Sequence, residues 1–323
     1  IGGSRMNALQ NGRSLQGANG AKSFFQKYYL VITFLLMFVV SCLLSPKFFT
    51  PLNLLNILTQ NATTAILSYG MLFVIVTGGI DLSVGSFLAL SVCLTAGLLN
   101  QNWPIAAVCL FVVLVMAAGG AIAGGLIAFG KIEPFIATLA MQQVVRGIAY
   151  IYQVGSVAVI NNQTFLTNFA GNLGPIPIAI IYAAIIGVIM HILLKNTTFG
   201  RKTYAIGGSK EAAKLVGVSV NKMLISIYVL SAILAGIAGI IMAARLRVGT
   251  ALVGDGLELD AIASVVIGGA AFTGGRGTVM NTVLGVLILG IIGNIMNLMG
   301  VATYPQMMIK GAIIVAAVLA KRD

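Results

Sequence analysis

The residues able to do chemistry in this chain are ionisable and amide side chains set inside otherwise apolar stretches. Asp81 stands in Thr77-Gly78-Gly79-Ile80-Asp81-Leu82-Ser83, between two apolar runs. A charge at membrane depth costs at least about 2.5–3.5 kcal/mol, so each one invites a functional reading. The flanking glycines let a helix break there and expose backbone groups. Two uses stay open: Asp81 or Ser83 caps the next helix, or Asp81 belongs to a gate or pathway. Gln142, Arg146, Tyr150 and Gln153 follow one another at intervals of four, four and three, which puts them on one helix face. That face looks inward, or Arg146 snorkels towards the headgroups. Asn53, Asn56, Gln60 and Thr64 form a second polar stripe, and Asn294 with Asn297 a third.

Amides both donate and accept hydrogen bonds, so such stripes suit a neutral, hydroxylated solute, whereas an ion path favours carboxylates or rings of charge. They also fasten helices to one another in lipid. The pathway or gate candidates are Asn56, Gln60, Asp81, Ser83, Gln142, Arg146, Asn294 and Asn297. Asp255, Glu258 and Asp260 lie just beyond Arg245 and Arg247, where local ion pairing at a membrane interface is expected. Other chemistries lack their residues. The single histidine, His191, builds no metal cluster, and no nucleophile elbow or dinucleotide fingerprint occurs. Gly125 to Lys131 approaches a phosphate loop, but Ile132 stands where Ser or Thr must hold magnesium, and the segment leaves an apolar helix. The chain is therefore read as binding no cofactor and catalysing no reaction. If ATP drives it, another subunit hydrolyses the nucleotide.

The elements that position these groups follow from composition. Of 323 residues, 59% are hydrophobic and 8% charged, against about 25% charged in ordinary soluble domains. So little polar surface implies lipid as the main solvent. Bilayer thickness calls for roughly 20 helical residues per span. On that ruler ten segments qualify: 28–45, 58–76, 84–99, 104–128, 134–152, 176–194, 223–244, 258–272, 278–299 and 305–320. The third, eighth and tenth are short enough to be tilted, broken or re-entrant. The fold class expected is an all-α polytopic membrane protein, with residues 28–323 as one domain. Ile1 to Arg5 ahead of Met6 reads as a tag scar, and 1–27 as that scar plus a disordered arm.

Nineteen Lys and Arg against seven Asp and Glu give a net charge of +12, and no nucleic-acid module accompanies it. Its distribution instead orients the chain. Arg5, Arg13, Lys22 and Lys27 precede the first span, Lys321 and Arg322 follow the last, and the 195–222 loop carries six cations against one acid. Both termini and this loop are expected to be cytoplasmic, with the uncharged 153–175 loop outside. Arg245 and Arg247 fall on the outer side of that count. Gly120 and Gly124, and Ala235 and Gly239, have the small-residue spacing of close helix contacts. Cys42, Cys93 and Cys109 read as buried free thiols. The acids of Gly79 to Gly85 and Glu258 to Ala263, one in each half, point to two related halves of the kind transporters use.

In the basic loop Ser209 is placed to cap a short helix ending near Gly217, with Glu211 favourable to its dipole. Such a helix is too short to stand alone in water and suits docking in a groove of a soluble protein. Four motifs in order, Gly79-Ile80-Asp81-Leu82-Ser83-Val84-Gly85, Pro134-Phe135-Ile136-Ala137-Thr138-Leu139, Glu211-Ala212-Ala213 to Gly217, and Glu258-Leu259-Asp260-Ala261-Ile262-Ala263 leading to Gly274-Gly275, make the chain resemble permease subunits of bacterial ABC importers for monosaccharides from about Lys47 to Lys321. The likeness is nearest to the ribose-transporting branch. It implies alternating access in the inner membrane, a second permease copy, a cytoplasmic ATPase carrying ATP and magnesium, and a periplasmic or lipid-anchored sugar-binding protein. It makes Ser209, Glu211, Ala212, Ala213 and Gly217 a coupling helix. The competing reading is an ion-coupled secondary sugar transporter using Asp81 or Asp260.

Overall fold

The computed structural model describes residues 28–153 and 158–319. The expected tag scar and arm, and the terminal cations used for orientation, lie outside the described residues. The helices are α1 (Tyr28–Leu44), α2 (Pro51–Val76), α3 (Val84–Asn100), α4 (Ile105–Ala128), α5 (Pro134–Tyr152), α6 (Gln163–Ala170), α7 (Ile178–Asn196), α8 (Thr198–Gly208), α9 (Lys210–Leu215), α10 (Val220–Leu246), α11 (Leu257–Ile267), α12 (Val279–Leu298) and α13 (Thr303–Leu319). Two antiparallel pairings of two residues each interrupt the all-α pattern: β1 (Ala158–Val159) with β4 (Val248–Gly249), and β2 (Asn172–Leu173) with β3 (Ile176–Pro177). Each apolar segment cut to bilayer thickness coincides with a helix. Five of them, α2, α4, α7, α10 and α12, are long and apolar enough to cross a membrane.

Local chemistry sets the ends. Pro51 occupies the first turn of α2 and Thr50 Oγ1 accepts from the Asn53 N–H at 3.3 Å, so this helix starts well before the hydropathy rises. Thr278 caps α12 in the same way through the Asn281 N–H. Arg247 ends α10 in the left-handed region at φ 59°. α2 and α10 are buried over most of their length, while α4 and α7 leave broad apolar faces exposed, as lipid-facing helices do. Burial against lipid-like surroundings gives little drive, so close packing must hold the bundle. A Cβ on Gly120 would lie 2.6 Å from the Tyr228 carbonyl oxygen, and one on Gly124 2.7 Å from Ile225 Cα. The expected small-residue seam is thus where α4 meets α10. The three cysteines are free thiols, with Cys93 buried and Cys42 and Cys109 half-buried.

Two short helices begin in the middle of the bundle. Ser231, the twelfth of the 27 residues of α10, donates to Asp81 just before α3, about 18 Å along an axis of roughly 40 Å. From there α3 runs beside α10 to the end where Asn100 meets Val159 of β1. α11 starts at the same height and runs the other way, towards the basic loop, where the Gly275 N–H donates to the Val76 carbonyl at 2.8 Å. Glu258 and Gly85, each the second residue of its helix, abut: a Cβ on Gly85 would lie 2.2 Å from Glu258 Oε2. The two glycine-flanked acidic segments therefore meet as opposed helix starts.

Candidate functional site

At the start of α3, Asp81 is 1% exposed and fully engaged. Its Oδ1 accepts from the Ser83 N–H at 3.0 Å and from the Ser83 hydroxyl, and its Oδ2 from the Ser231 hydroxyl at 2.8 Å. Ser83 occupies the cap position of α3, yet its side chain makes no capping bond. The work falls to Asp81, whose carboxylate closes the turn and ties it to α10. Thr138 on α5 donates to the Ile80 carbonyl at 3.1 Å, so a third helix holds the same turn.

The start of α11 is held from α5. Arg146 Nη1 donates to the Ala251 and Val253 carbonyls at 2.7 and 2.6 Å, and Gln153 Oε1 accepts from the Ala251 N–H. Gln142 Nε2 reaches Glu258 Oε1 at 3.4 Å, and the Gly256 N–H reaches the same oxygen at 3.2 Å. Gly254 and Gly256 have φ of 82° and 80°, a backbone only glycine adopts without strain, which lets the segment fold back to mid-height. Arg146 Nη2 and Glu258 Oε2 are buried without a hydrogen-bond partner. Gln142, Gln143, Arg146, Tyr150, Leu252 and Asp255 line a cavity of about 220 Å³. The predicted α5 face thus looks inward through Gln142, Arg146 and Gln153, onto the 250–258 segment, and Arg146 is anchored rather than extended to the headgroups.

The other stripes go elsewhere. Asn53 and Asn294 exchange reciprocal amide bonds of 3.0 and 2.8 Å, clamping α2 to α12. Asn297 accepts from Gln306 on α13 at 2.7 Å, and Asn56 and Gln60 are exposed on α2. None of these five lies at the Asp81 junction. The expected pairing of the 255–260 acids with Arg245 and Arg247 is corrected by the structure. Among the described residues the one ion pair is Asp260 with Lys310 of α13 at 2.8 Å, and Arg245 Nη1 is buried without a partner. The reason is direction: α11 carries Asp260 away from the end of α10 towards α13.

At the basic end Ser209 Oγ accepts from the Ala212 N–H at 3.1 Å and donates to Glu211 Oε2 at 3.2 Å, so the short helix is capped where the sequence placed it. Ala213 is buried and seats α9 on the bundle, and Gly217 closes the turn at φ 83°. Leu215 and Val216 are 88% and 78% exposed at its tip. Two apolar residues directly after Ala212-Ala213-Lys214 were the available signal for this tip. Lys210, Glu211, Lys214, Lys222 and Phe129 border an open cavity of about 550 Å³ beside α9. The neighbouring α8 is fixed to the core. Tyr204 Oη donates to the Gly277 carbonyl at 2.6 Å, and a Cβ on Gly207 would lie 1.8 Å from the Val76 carbonyl oxygen. Gly207 therefore joins α8 to the end of α2 and to the segment after α11.

The sequence profile of the family described as branched-chain amino acid transport system / permease component matches residues 53–318. The chain is 43% identical over 292 residues to the ribose import permease protein of Bacillus subtilis (strain 168), covering 90% of each. It is 39% identical over 305 residues to the ribose import permease protein of Escherichia coli (strain K12), covering 92% of this chain and 94% of that one. To the L-arabinose transport system permease protein of the same strain it is 37% identical over 324 residues, covering 96% of each. No solved structure matches the chain.

Proposed function

From the premise that the chain belongs to the branched-chain amino acid transport system / permease component family, we propose that it is the membrane-spanning subunit of an ATP-driven importer that moves ribose or a similar monosaccharide. The observation that carries this reading is α9, a capped helix seated through Ala213 with Leu215 and Val216 held outward. A helix so presented fits a groove on a soluble partner. That partner is the ATPase, with ATP and magnesium bound there. The basic end and both termini are then cytoplasmic, a second copy of the permease completes the path in the bacterial inner membrane, and a periplasmic or lipid-anchored binding protein delivers the sugar to the opposite end.

Coupling follows the contacts. Movement of α9 reaches α8, then through Gly207 the end of α2 and the segment at Gly275, and from that segment α11. α11 starts at the mid-height junction, so a push at the cytoplasmic end arrives where the two short helices abut. The ion-coupled alternative has weaker support. Both oxygens of Asp81 accept hydrogen bonds, and both oxygens of Asp260 face Lys310.

The test is reconstitution of the chain with its ATPase and binding protein in sealed proteoliposomes. Ribose uptake should require ATP on the side of the basic loop and persist when the proton and sodium gradients are collapsed. Uptake that follows a gradient and ignores ATP would overturn the reading.

A further inference from the structure

The cavity between α5 and the 250–256 segment contains more hydrogen-bonding capacity than bracing uses. Arg146 Nη1 is committed to two backbone carbonyls, which fixes the guanidinium plane. Nη2, on the same rigid plane, is buried without a partner and closed off from the cavity, so the free capacity lies with the amides and the carboxylate. Gln142 is steadied by Glu258, itself 5% exposed and held by Gly256, so a positioning residue backs one wall. Gln143, Tyr150 and Asp255 complete the polar lining, with Leu252 the one aliphatic member. The volume of about 220 Å³ equals about seven waters at roughly 30 Å³ each, room for one small solute.

The chemistry of the lining selects among solutes. One guanidinium faces one carboxylate, Asp255, so the walls carry no net charge that would draw an ion. The carboxylate accepts only, and the two amides both donate and accept. A solute whose neighbouring groups each donate and accept satisfies such a wall, and hydroxyls have that property. A carboxylate-bearing solute is served less well. The fork that grips a carboxylate with both terminal guanidinium nitrogens is closed here, because Nη1 is already occupied. A branched-chain side chain would also find Leu252 alone as aliphatic surface.

We propose that this cavity is a transit subsite for a neutral polyhydroxylated solute of monosaccharide size, with Gln142 and Gln143 contacting its hydroxyl oxygens and Asp255 accepting from its hydroxyls. The proposal rests on the importer reading and gives it a place within this chain. Glu258 is a positioning residue that acts through Gln142.

The experiment uses the full transporter in proteoliposomes, with Cys42, Cys93 and Cys109 replaced and a single cysteine introduced by Gln143→Cys. Ribose and ribitol at high millimolar concentration should slow modification of that cysteine by a small thiol reagent at least severalfold, and leucine should not. In parallel, Gln143→Leu and Asp255→Asn, both at exposed positions, should each lower ribose turnover about tenfold, the loss of roughly one hydrogen bond in the transit state. The unfolding midpoint in detergent should stay at the parent value, which a merely structural role would not predict. If the parent pumps ribose with ATP while labelling ignores both polyols and the two variants transport normally, the subsite is overturned and the importer reading stands. Protection by leucine in a transporter that does not move ribose overturns both.

Discussion

Asp81 and Glu258 open two short helices that meet at mid-height and depart in opposite directions, yet their surroundings differ. Asp81 receives three hydrogen bonds from side chains and backbone that are themselves buried. Glu258 receives two, both long, on one oxygen, from a glycine-hinged segment and an amide. The helices behind them differ in the same sense. α3 is locked to α10, with the Ser91 hydroxyl donating to the Gly236 carbonyl at 2.7 Å and Gly239 pressed against Ser91. α11 follows a segment with two left-handed glycines and is joined to α13 by a half-exposed ion pair. A buried carboxylate whose capacity is filled holds a frame together. One whose capacity is half filled marks the more loosely held part of the junction, and α11 behind it is linked to the basic end through the segment at Gly275.

Asp81→Ala is the most severe way to test this contrast. It leaves the Ser83 N–H and two hydroxyls without their acceptor, at a cost of about 3 kcal/mol, which a lowered unfolding midpoint in detergent should report. Asp81→Asn keeps an acceptor oxygen and should retain substantial uptake. A well-folded Asp81→Asn transporter with no uptake would give the charge an essential ionic role and break the frame interpretation. Glu258→Ala should cost about 1 kcal/mol or less, since it removes two long bonds together with a buried oxygen that has no partner. A loss as large as that of Asp81→Ala would erase the distinction between the two halves.

The length and composition of the apolar runs made the helices legible, and Ser209 was legible as a cap because its bonding is local. What escaped was non-local. The start of α2 at Pro51 was hidden by Asn53 and Asn56, whose polarity lowers hydropathy inside a helix that Thr50 caps. Spacing put Arg146 on the polar face of α5 without deciding between the interior and the headgroups, because its acceptors are backbone carbonyls at 251 and 253, which no side-chain pattern encodes. Glu258 was grouped with its neighbours in sequence, Asp255 and Asp260. Folding sends the three apart, to the junction, the cavity wall and Lys310.

A double-mutant cycle on Asn53 and Asn294 sharpens the comparison by asking whether α12 belongs to the fixed frame. The two amides exchange hydrogen bonds in both directions. Pairs of this kind inside membrane proteins average about 0.6 kcal/mol, so Asn53→Ala and Asn294→Ala should show a coupling of that size in unfolding experiments. Strict additivity would place α12 with the movable half.

Leu215→Ser should produce the smallest change in the molecule itself. The side chain is 88% exposed at the tip of α9, whereas Ala213, two residues earlier, is buried against the bundle. An exposed substitution away from caps and cores shifts stability by no more than about 0.5 kcal/mol, so the unfolding midpoint should stay where it is. Association with the ATPase, measured by co-purification or by the ribose-stimulated ATPase rate, should fall sharply, because an exposed apolar anchor at the tip of a docking helix carries much of the binding free energy. Val216→Ser should repeat the effect. Because Ala213 seats the helix, its enlargement to Leu should instead lower stability and displace α9. If Leu215→Ser left ATPase association untouched, α9 would be a surface turn, and the path from the basic end to the junction at Glu258 would lose its origin.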